Sequence, residues 1–521
     1  MYLKHIVFSL TAFFIALSLF SQHENILVSA SNGPNEPSIY IDPNNTDRMI
    51  AGANINNVFY TEDGGYTWTV DQLYSSTLGV WGDPVTIVDN EGNYLFFHLS
   101  NPPGGNWIDR IVCQKSTDGG QTWNEGSYMG LNGDKAQDKE WAIIDRDNGN
   151  IYVTWTQFDD YGSSNPNDRS NIMFSKSTDG GESWSPAMII NEVDGDCIDD
   201  DNTVEGAVPA VGPNGEIYVA WAGPEGIVFD KSLDQGETWL EEDIFVTDFP
   251  GGWNYDIPGI YRANGLPVTK CDLSGGVHHG TIYINWTDQR NGTDDTDVWL
   301  VKSTDGGETW TEPVRVNDDP PGKQQFFTWM DVDQVTGDLH FVFYDRRNHD
   351  DSNTDVFMAY SADGGETFLN YQVSEEPFLP VSSVFFGDYT NVAAHNEVIR
   401  PIWTRLHNGS RSIITAIVDP VFTGVDEGAQ SGIPFALNQN YPNPFSESTY
   451  FSFKLRQPSV VTLIVTDIYG REITTLINKK ELPAGAFTRH FTTAHYNISP
   501  GVYYFSLTGN DINLVKKMVI E

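Results

Sequence analysis

Short apolar runs rich in Val, Ile, Tyr, Trp and Phe punctuate the chain, as in IYVTWTQF (151–158), IYVAWAG (217–223) and IYINWTD (282–288). Each is bounded by clusters of Gly, Asn and Asp, the residues that turn a chain back on itself. No stretch sustains the three-to-four-residue apolar period of a long helix. The pattern predicts an all-β protein.

The strands come in repeated sets. A strand, a tight Asn/Asp/Gly turn and a second strand recur in EPSIYIDPNNTDRMIAGANI from Glu36, PVTIVDNEGNYLFFHLS from Pro84 and EWAIIDRDNGNIYVTWTQF from Glu140. The same set begins at Glu205, Leu266 and Phe327, and a seventh begins at Val384. After each of the first six comes a near-copy of one nine-residue string: YTEDGGYTW, KSTDGGQTW, KSTDGGESW, KSLDQGETW, KSTDGGETW and YSADGGETF. Their aspartates, Asp63, Asp118, Asp179, Asp234, Asp305 and Asp363, are spaced by 55, 61, 55, 71 and 58 residues. A unit thus reads strand A, turn, strand B, loop, strand C, string, strand D, which is the four-stranded sheet of a β-propeller blade. The seventh unit runs out near Asp419 without a strand D, and ENILVSASN (24–32) is an orphan strand that would complete it and close the ring. Seven blades are expected; six blades and an irregular insert are the alternative. The strings read as structural, because their glycines supply positive φ in a tight turn and their aspartate can accept amide hydrogen bonds within it.

At 521 residues the chain can hold more than one domain. The start, MYLKHIVFSLTAFFIALSLFSQ, has a basic head and an apolar run from Ile6 to Phe20, which predicts a signal peptide over 1–21; a retained anchor is the alternative. No other segment is apolar enough to cross a membrane. Three cysteines, Cys113, Cys197 and Cys271, exclude a disulfide framework and leave room for one bridge. A formal charge of −43 excludes nucleic acid and anionic membrane as partners of the whole surface.

The string S-x-D-x-G-x-[TS]-W resembles the Asp box, or BNR repeat, of sialidase-like propellers, over residues 22–419. The tail resembles the type A sorting domain of type IX secretion in Bacteroidetes through YPNPF, DIYGR, LPAG, GVYY and KKMVI. That resemblance implies a small β-sandwich over 436–521, a linker over 420–435, recognition by the outer-membrane secretion machinery and a place at the cell surface or outside. A carbohydrate-binding β-sandwich is the alternative for the tail.

Strand alternation puts the A–B turns and the strings on one face, and the B–C and D–A loops on the other. The latter are long, as in NEGSYMGLNGDKAQDKE (124–140) and VTDFPGGWNYDIPGIYRANG (246–265), so this face is the expected binding side. Residues leading into the A strands should ring its centre: Glu36, Asp83, Asp138 with Glu140, Glu205, and Asp388 with Tyr389. Carboxylates there can bind a cation, serve as an acid/base pair for glycoside hydrolysis, or cap strand amides. The resemblance implies a tyrosine nucleophile, for which Tyr389 is the candidate, and arginines that grip a substrate carboxylate. Arg290, Arg347 and Arg405 end three successive B strands and Arg262 could join them; their alternative is pairing with neighbouring acids. The Arg-Ile-Pro motif of sialidases is absent, Arg110–Ile111–Val112 being the nearest string. DGDCIDDDNTVE (194–205) offers calcium a loop with Asp194, Asp196 and Asp200, against the alternative of an acidic surface loop. No cofactor is otherwise required. The expected function is that of a monomeric, secreted, sialidase-like glycoside hydrolase or related glycan-processing enzyme. The alternative is a non-catalytic surface propeller that binds glycan or protein through the same face.

Overall fold

The computed structural model describes residues 23–418 and, with short gaps, 435–520. The expected signal peptide and most of the expected linker lie outside the described residues. Two compact units divide between Pro420 and Val421.

In the first unit the described residues form seven four-stranded antiparallel sheets and one two-stranded hairpin. Sheets 1 to 6 span residues 38–72, 82–129, 136–189, 205–247, 268–315 and 325–372. Their innermost strands are Ser38–Ile41, Gly82–Val88, Ala136–Ile144, Glu205–Val211, Val268–Cys271 and Gln325–Val332. Sheet 7 is built from Asn391–His395, Val398–His407 and Ser410–Ile417, and its outermost strand is the distant Glu24–Ser29, paired antiparallel with Ser410–Ile417. Each innermost strand packs against the next, and that of sheet 7 returns to that of sheet 1, so the sheets close into a ring. Asn25 fastens the junction, exchanging hydrogen bonds of 3.0 Å with Glu375 and donating to the Val373 carbonyl at 2.7 Å.

The second strands form the wall between sheets. Trp155, Trp221, Trp286 and Trp403 stand within four of them at matching places and are buried to 1% exposure or less. Fully burying side chains of this size removes the most apolar area per residue, so the seams between sheets hold much of the stabilising surface.

The nine-residue strings lock the outer edge. In each, a hydroxyl donates to one aspartate oxygen and accepts the amide of the glycine two residues after the aspartate, and the Thr or Ser two residues further on binds the aspartate through both its amide and its hydroxyl. Around Asp305 these are Ser303 Oγ to Oδ1 at 2.7 Å, Gly307 N–H to Ser303 Oγ at 2.9 Å, and Thr309 N and Oγ1 at 3.0 and 2.6 Å. The same four bonds recur at Asp63, Asp118, Asp179, Asp234 and Asp363. The hydrogen bonds from Thr309 and Ser303 hold the Asp305 carboxyl down at about 2.

These turns also face the preceding sheet. Gly307 has φ +86°, and a Cβ there would lie 2.3 Å from the ring of Phe229 in sheet 4; Gly236 meets Phe174 of sheet 3 in the same way at 2.3 Å. Trp310 and Trp239 then pack edge-on against those two rings, at 5.1 and 5.0 Å. The lysine that precedes the string reaches the other way. Lys115, Lys176, Lys231 and Lys302 each donate to a carbonyl in the string of the next sheet: Gly180, Gln235, Gly306 and Gly364, at 2.8–3.1 Å. Arg400 of sheet 7 makes the equivalent bond to Gly64 at 2.7 Å across the closure. Sheets 1 and 6 carry Tyr60 and Tyr360 in place of that lysine, and the sheet that follows sheet 6 has no string to receive one.

The second unit holds a three-stranded sheet (Phe435–Leu437, Ser448–Leu455, Gly485–Thr492) and a four-stranded sheet (Ser459–Asp467, Glu472–Leu482, Gly501–Gly509, Ile512–Ile520). Phe451, Phe453 and Phe491 of the first share one core with Leu463, Val465, Phe505 and Leu507 of the second. Ser459–Asp467 alternates buried and more exposed residues as a strand with one covered face must. In the DIYGR turn Asp467 accepts the amides of Tyr469 and Arg471 at 2.8 and 3.0 Å and pairs with the Arg471 guanidinium at 2.6 Å.

Ser303→Ala leaves the buried Gly307 N–H without its acceptor, and a loss of about 1–3 kcal/mol is expected in urea unfolding of the propeller. Gly307→Ala, which meets both the wrong φ and the Phe229 ring, should cost about 2 kcal/mol or more. Unchanged unfolding midpoints for both would contradict this account of the strings.

Candidate functional site

The innermost strands do not begin regularly. Their pairing with the second strand shifts register between Gly82 and Val85, Asp138 and Trp141, Glu205 and Val208, and Phe326 and Trp329. One residue in each shift has positive φ: Asp83 (52°), Lys139 (54°), Gly206 (81°) and Phe327 (51°); Glu36 (54°) precedes the first sheet in the same way. Such a bulge re-aims a side chain that would otherwise follow the pleat, and non-glycine residues in this region of φ are uncommon and costly. Here it delivers Glu36, Asp83 and Lys139 to the centre of the long-loop face.

They line a cleft of about 320 Å3 with Asp138, Tyr161, Arg262, Trp81 and Trp107. Its lining comes from D–A connections, the starts of A strands and B–C loops, with Leu99 from the end of a B strand and Arg411 from the start of a C strand. Asn54 and Ile55 enter from the B–C loop of sheet 1, Trp107 and Ile108 from that of sheet 2, Tyr161 from that of sheet 3, and Arg411 from sheet 7. Trp81 and Trp107, 38% and 45% exposed, stand edge to face at 6.1 Å, and Trp107 meets Tyr161 at 5.7 Å.

The floor is an ion network around Asp388, which is 3% exposed. Lys139 Nζ donates to Asp388 Oδ2 at 2.7 Å and lies 3.5 Å from Asp83 Oδ2. Arg262 grips Asp388 in a fork, Nε to Oδ1 at 2.8 Å and Nη2 to Oδ2, and its Nη1 lies 3.6 Å from Asp199. Tyr161 donates to the same Asp199 oxygen at 2.6 Å. Glu36 accepts the Asp388 amide at 3.1 Å and the Asn54 amide group, while Asn54 Oδ1 accepts the Asp83 amide at 2.7 Å.

This arrangement separates the carboxyl groups. Burial alone would raise Asp388, but Lys139 and Arg262 outweigh it and hold the group well below the usual carboxylate range. Asp138 accepts the Lys139 amide at 2.9 Å, and burial, reinforced by Asp83, pushes it up to about 7. Burial also raises Glu36, Glu140 and Glu205 well above the usual range; the side-chain oxygens of Glu140 and Oε2 of Glu205 are buried without a hydrogen-bond partner. Lys139 moves upward: burial opposes its charge, and Asp388, Asp83 and Glu36 more than restore it.

Several expected residues therefore meet in one place: Asp83, Asp138 and Arg262 line the cleft and Asp388 lies beneath it. Glu205 is buried at the start of the sheet 4 inner strand. Tyr389 lies below the floor, its ring 5.4 Å from Trp141 and 6.3 Å from Trp329, and burial raises its phenol strongly. Arg290 and Arg347 do not reach the cleft. Each is turned back by the aspartate two residues earlier, which caps its amide and takes its guanidinium: Asp288 holds Arg290 Nη2 at 2.6 Å and Asp345 holds Arg347 Nε at 2.7 Å. Arg405 belongs to Val398–His407 and is not among the cleft-lining residues.

In the 194–205 loop the carboxylates serve the chain. Asp194 pairs with Arg169 at 2.9 Å, Asp196 accepts Thr203 Oγ1 at 3.0 Å, and Asp200 accepts Asn254 Nδ2 at 2.9 Å. That last bond, with Asn254 N–H to Asp201 at 2.9 Å and Trp253 Nε1 to the Thr203 carbonyl at 3.1 Å, moors the hairpin that carries Arg262. Among the described residues no group of three or more His, Cys, Asp or Glu side chains is arranged to hold a metal ion.

Lys139 was not among the expected site residues. Its signal was its place in the repeat, two residues before the first regular pair of an A strand, where Asp83 and Glu36 also stand.

The tail, residues 439–521, matches the family described as the secretion system C-terminal sorting domain. No curated protein sequence matches the chain. Among solved structures the chain is similar to the Hadza microbial sialidase Hz136 (16% identity, 71% of this chain and 73% of that one, TM-score 0.39). It is also similar to the NanB sialidase from Streptococcus pneumoniae (10%, 71% and 83%, TM-score 0.42) and to a PL25 ulvan lyase (14%, 76% and 96%, TM-score 0.46). At these identities the likeness is one of fold. The chain carries a β-propeller, the closed ring of four-stranded sheets, followed by a C-terminal sorting domain. It is secreted through the type IX system to the cell surface or beyond. Among the described residues no helix is long and apolar enough to cross a membrane.

Asp388→Asn takes from Lys139 and Arg262 the charge they share. A loss of about 3–5 kcal/mol is expected in thermal or urea unfolding, most of it from the Lys139 arm, since the Arg262 side chain is 41% exposed and screened. A change below about 1 kcal/mol would show that the floor is not held by these ions.

Proposed function

We propose that the protein is a secreted glycan-processing enzyme, a glycoside hydrolase, and that its chemistry sits at Asp138 and Asp83. The observation that carries the reading is a pair of carboxyl groups in one cleft with opposite surroundings. Asp138 is pushed up to about 7 by burial and by Asp83, so it keeps a proton near neutrality. Asp83 faces the Lys139 ammonium. A carboxyl that keeps its proton, beside a second one that faces a cation, suits acid/base work on one bond. Asp138 would give its proton to the glycosidic oxygen as the bond to the sugar breaks, and Asp83, facing Lys139, would act on the opposite side, either attacking the anomeric carbon itself or taking a proton from the water that does. Trp81, Trp107 and Tyr161 offer apolar ring faces and edges for sugar rings, and Asn54 fixes the Asp83 backbone. Tyr389, packed under the floor, is left a supporting role.

A second reading is a propeller that binds glycan in the same cleft without cleaving it. What favours it is that Arg262 is already gripped by Asp388, and Arg290 and Arg347 by acids of their own sheets.

Purified full chain is expected to cleave at least one member of a panel of aryl glycosides. Its kcat/KM should fall as pH rises through about 7, because the active form of Asp138 is the protonated one. Asp138→Asn should lower kcat by about 10²–10⁴-fold and leave sugar binding in place. Sugar binding with no turnover across the panel would establish the second reading instead.

A further inference from the structure

We infer that the cleft accepts sugars that carry no negative charge, neutral or amino-bearing, and turns away carboxylated ones such as uronic and sialic acids. The inference deepens the reading above and rests on it for the claim that the ligand is a sugar.

The argument rests on charge matched within the protein. Three cations line the cleft, Lys139, Arg262 and Arg411; the first two are paired with the protein's own carboxylates and the third with a backbone carbonyl. A guanidinium recognises a carboxylate by laying two parallel N–H groups along its two oxygens. Arg262 makes that fork, and the carboxylate in it is the protein's own Asp388. Lys139 closes on the same group at 2.7 Å and lies 3.5 Å from Asp83. Arg411 donates through Nη1 to the Phe385 carbonyl at 3.0 Å. A substrate carboxylate could win Arg262 only by displacing Asp388, whose side chain is 2% exposed and whose backbone is held by Glu36 and by Asn264 Nδ2 at 3.0 Å. Asp388 is therefore a built-in occupant of the carboxylate position.

What faces an incoming ligand is acceptor-rich. Glu36, Asp83 and Asp138 line the cleft, Asp199 stands behind Tyr161 and Arg262, and the amides of Asn32, Asn35 and Asn54 complete the rim. Carboxyl and amide oxygens accept hydrogen bonds from sugar hydroxyls and ammonium groups, donors that a substrate carboxylate does not supply. Beside them Trp81 and Trp107, 6.1 Å apart, keep 38% and 45% of their surface exposed and present adjoining indoles to a ligand. Aromatic faces and hydroxyl acceptors together fit a pyranose ring without a charged substituent.

The test is calorimetric binding to the full chain with oligosaccharides matched in ring and linkage: gluco-, glucosamine- and glucuronic-acid trimers, and lactose beside sialyllactose. The neutral or amino member should bind at least tenfold more tightly than its carboxylated counterpart, and Asp388→Asn, if it folds, should narrow or reverse that ratio by freeing Arg262. Equal or tighter binding of the carboxylated member by the unaltered chain overturns the inference. Turnover measured on the same sugars separates the two claims. Neutral sugar bound but never cleaved removes the hydrolase reading and leaves the charge preference. Cleavage of sialyllactose removes the charge preference and leaves the hydrolase. Binding of no member removes both.

Discussion

Asp388, buried between Lys139 and Arg262, ties together three parts of the chain that are remote in sequence: sheet 7, sheet 3 and the hairpin between sheets 4 and 5. Ions are costly to bury singly and tolerable when their partners are fixed in place. Each member is held by something rigid. Lys139 sits in a strand bulge, Arg262 on a hairpin moored to the 194–205 loop, and Asp388 has its amide bound by Glu36. The open face depends on this constraint, because the cations that neutralise the floor also determine which carboxyls stay charged. Asp388 is held far down, and Asp138, left with burial and the field of Asp83, is pushed up to about 7.

The ring makes such a floor possible by fixing the starts of its inner strands around one axis. Its rigidity comes from the outer edge, where the repeated turns, the rings of Phe174 and Phe229 and the lysines reaching from sheet to sheet interlock. The closing strand, Glu24–Ser29, gives sheet 7 the outermost strand that the seventh unit itself lacks. Repetition is thus spent on the scaffold, and the irregular elements supply the site: bulges, the long loops and one extra hairpin.

That division explains what the sequence revealed. The fold was legible because turn chemistry is local: a hydroxyl, an aspartate and two glycines within five residues state their own geometry, as Ser303 to Gly307 do. The acidic ring around the axis was legible from the same repeat, which brought Asp83, Asp138 and Asp388 to one place. The arginines were harder to read. In NWTDQR and FYDRR an aspartate two residues before Arg290 or Arg347 folds the guanidinium back locally, and a neighbour so close outcompetes a distant cleft. Lys139 went unread because a lone cation between Asp138 and Glu140 looks like solvent-facing charge until the bulge turns it inward. The 194–205 loop, read as a calcium candidate, spends its carboxylates on Arg169, Thr203 and Asn254, partners that only the fold brings near.

The central claim is that sugar chemistry takes place at Asp138, on a floor set by Asp388 and its two cations. A crystal structure of the full chain with an uncleavable thio-linked oligosaccharide tests it most directly. The account predicts the thioglycosidic sulfur within hydrogen-bonding reach of the Asp138 carboxyl, with Asp388 still gripped by Arg262 and a sugar ring against Trp81 or Trp107. A sugar seated away from Asp138, or one whose carboxylate has replaced Asp388 on Arg262, would contradict it.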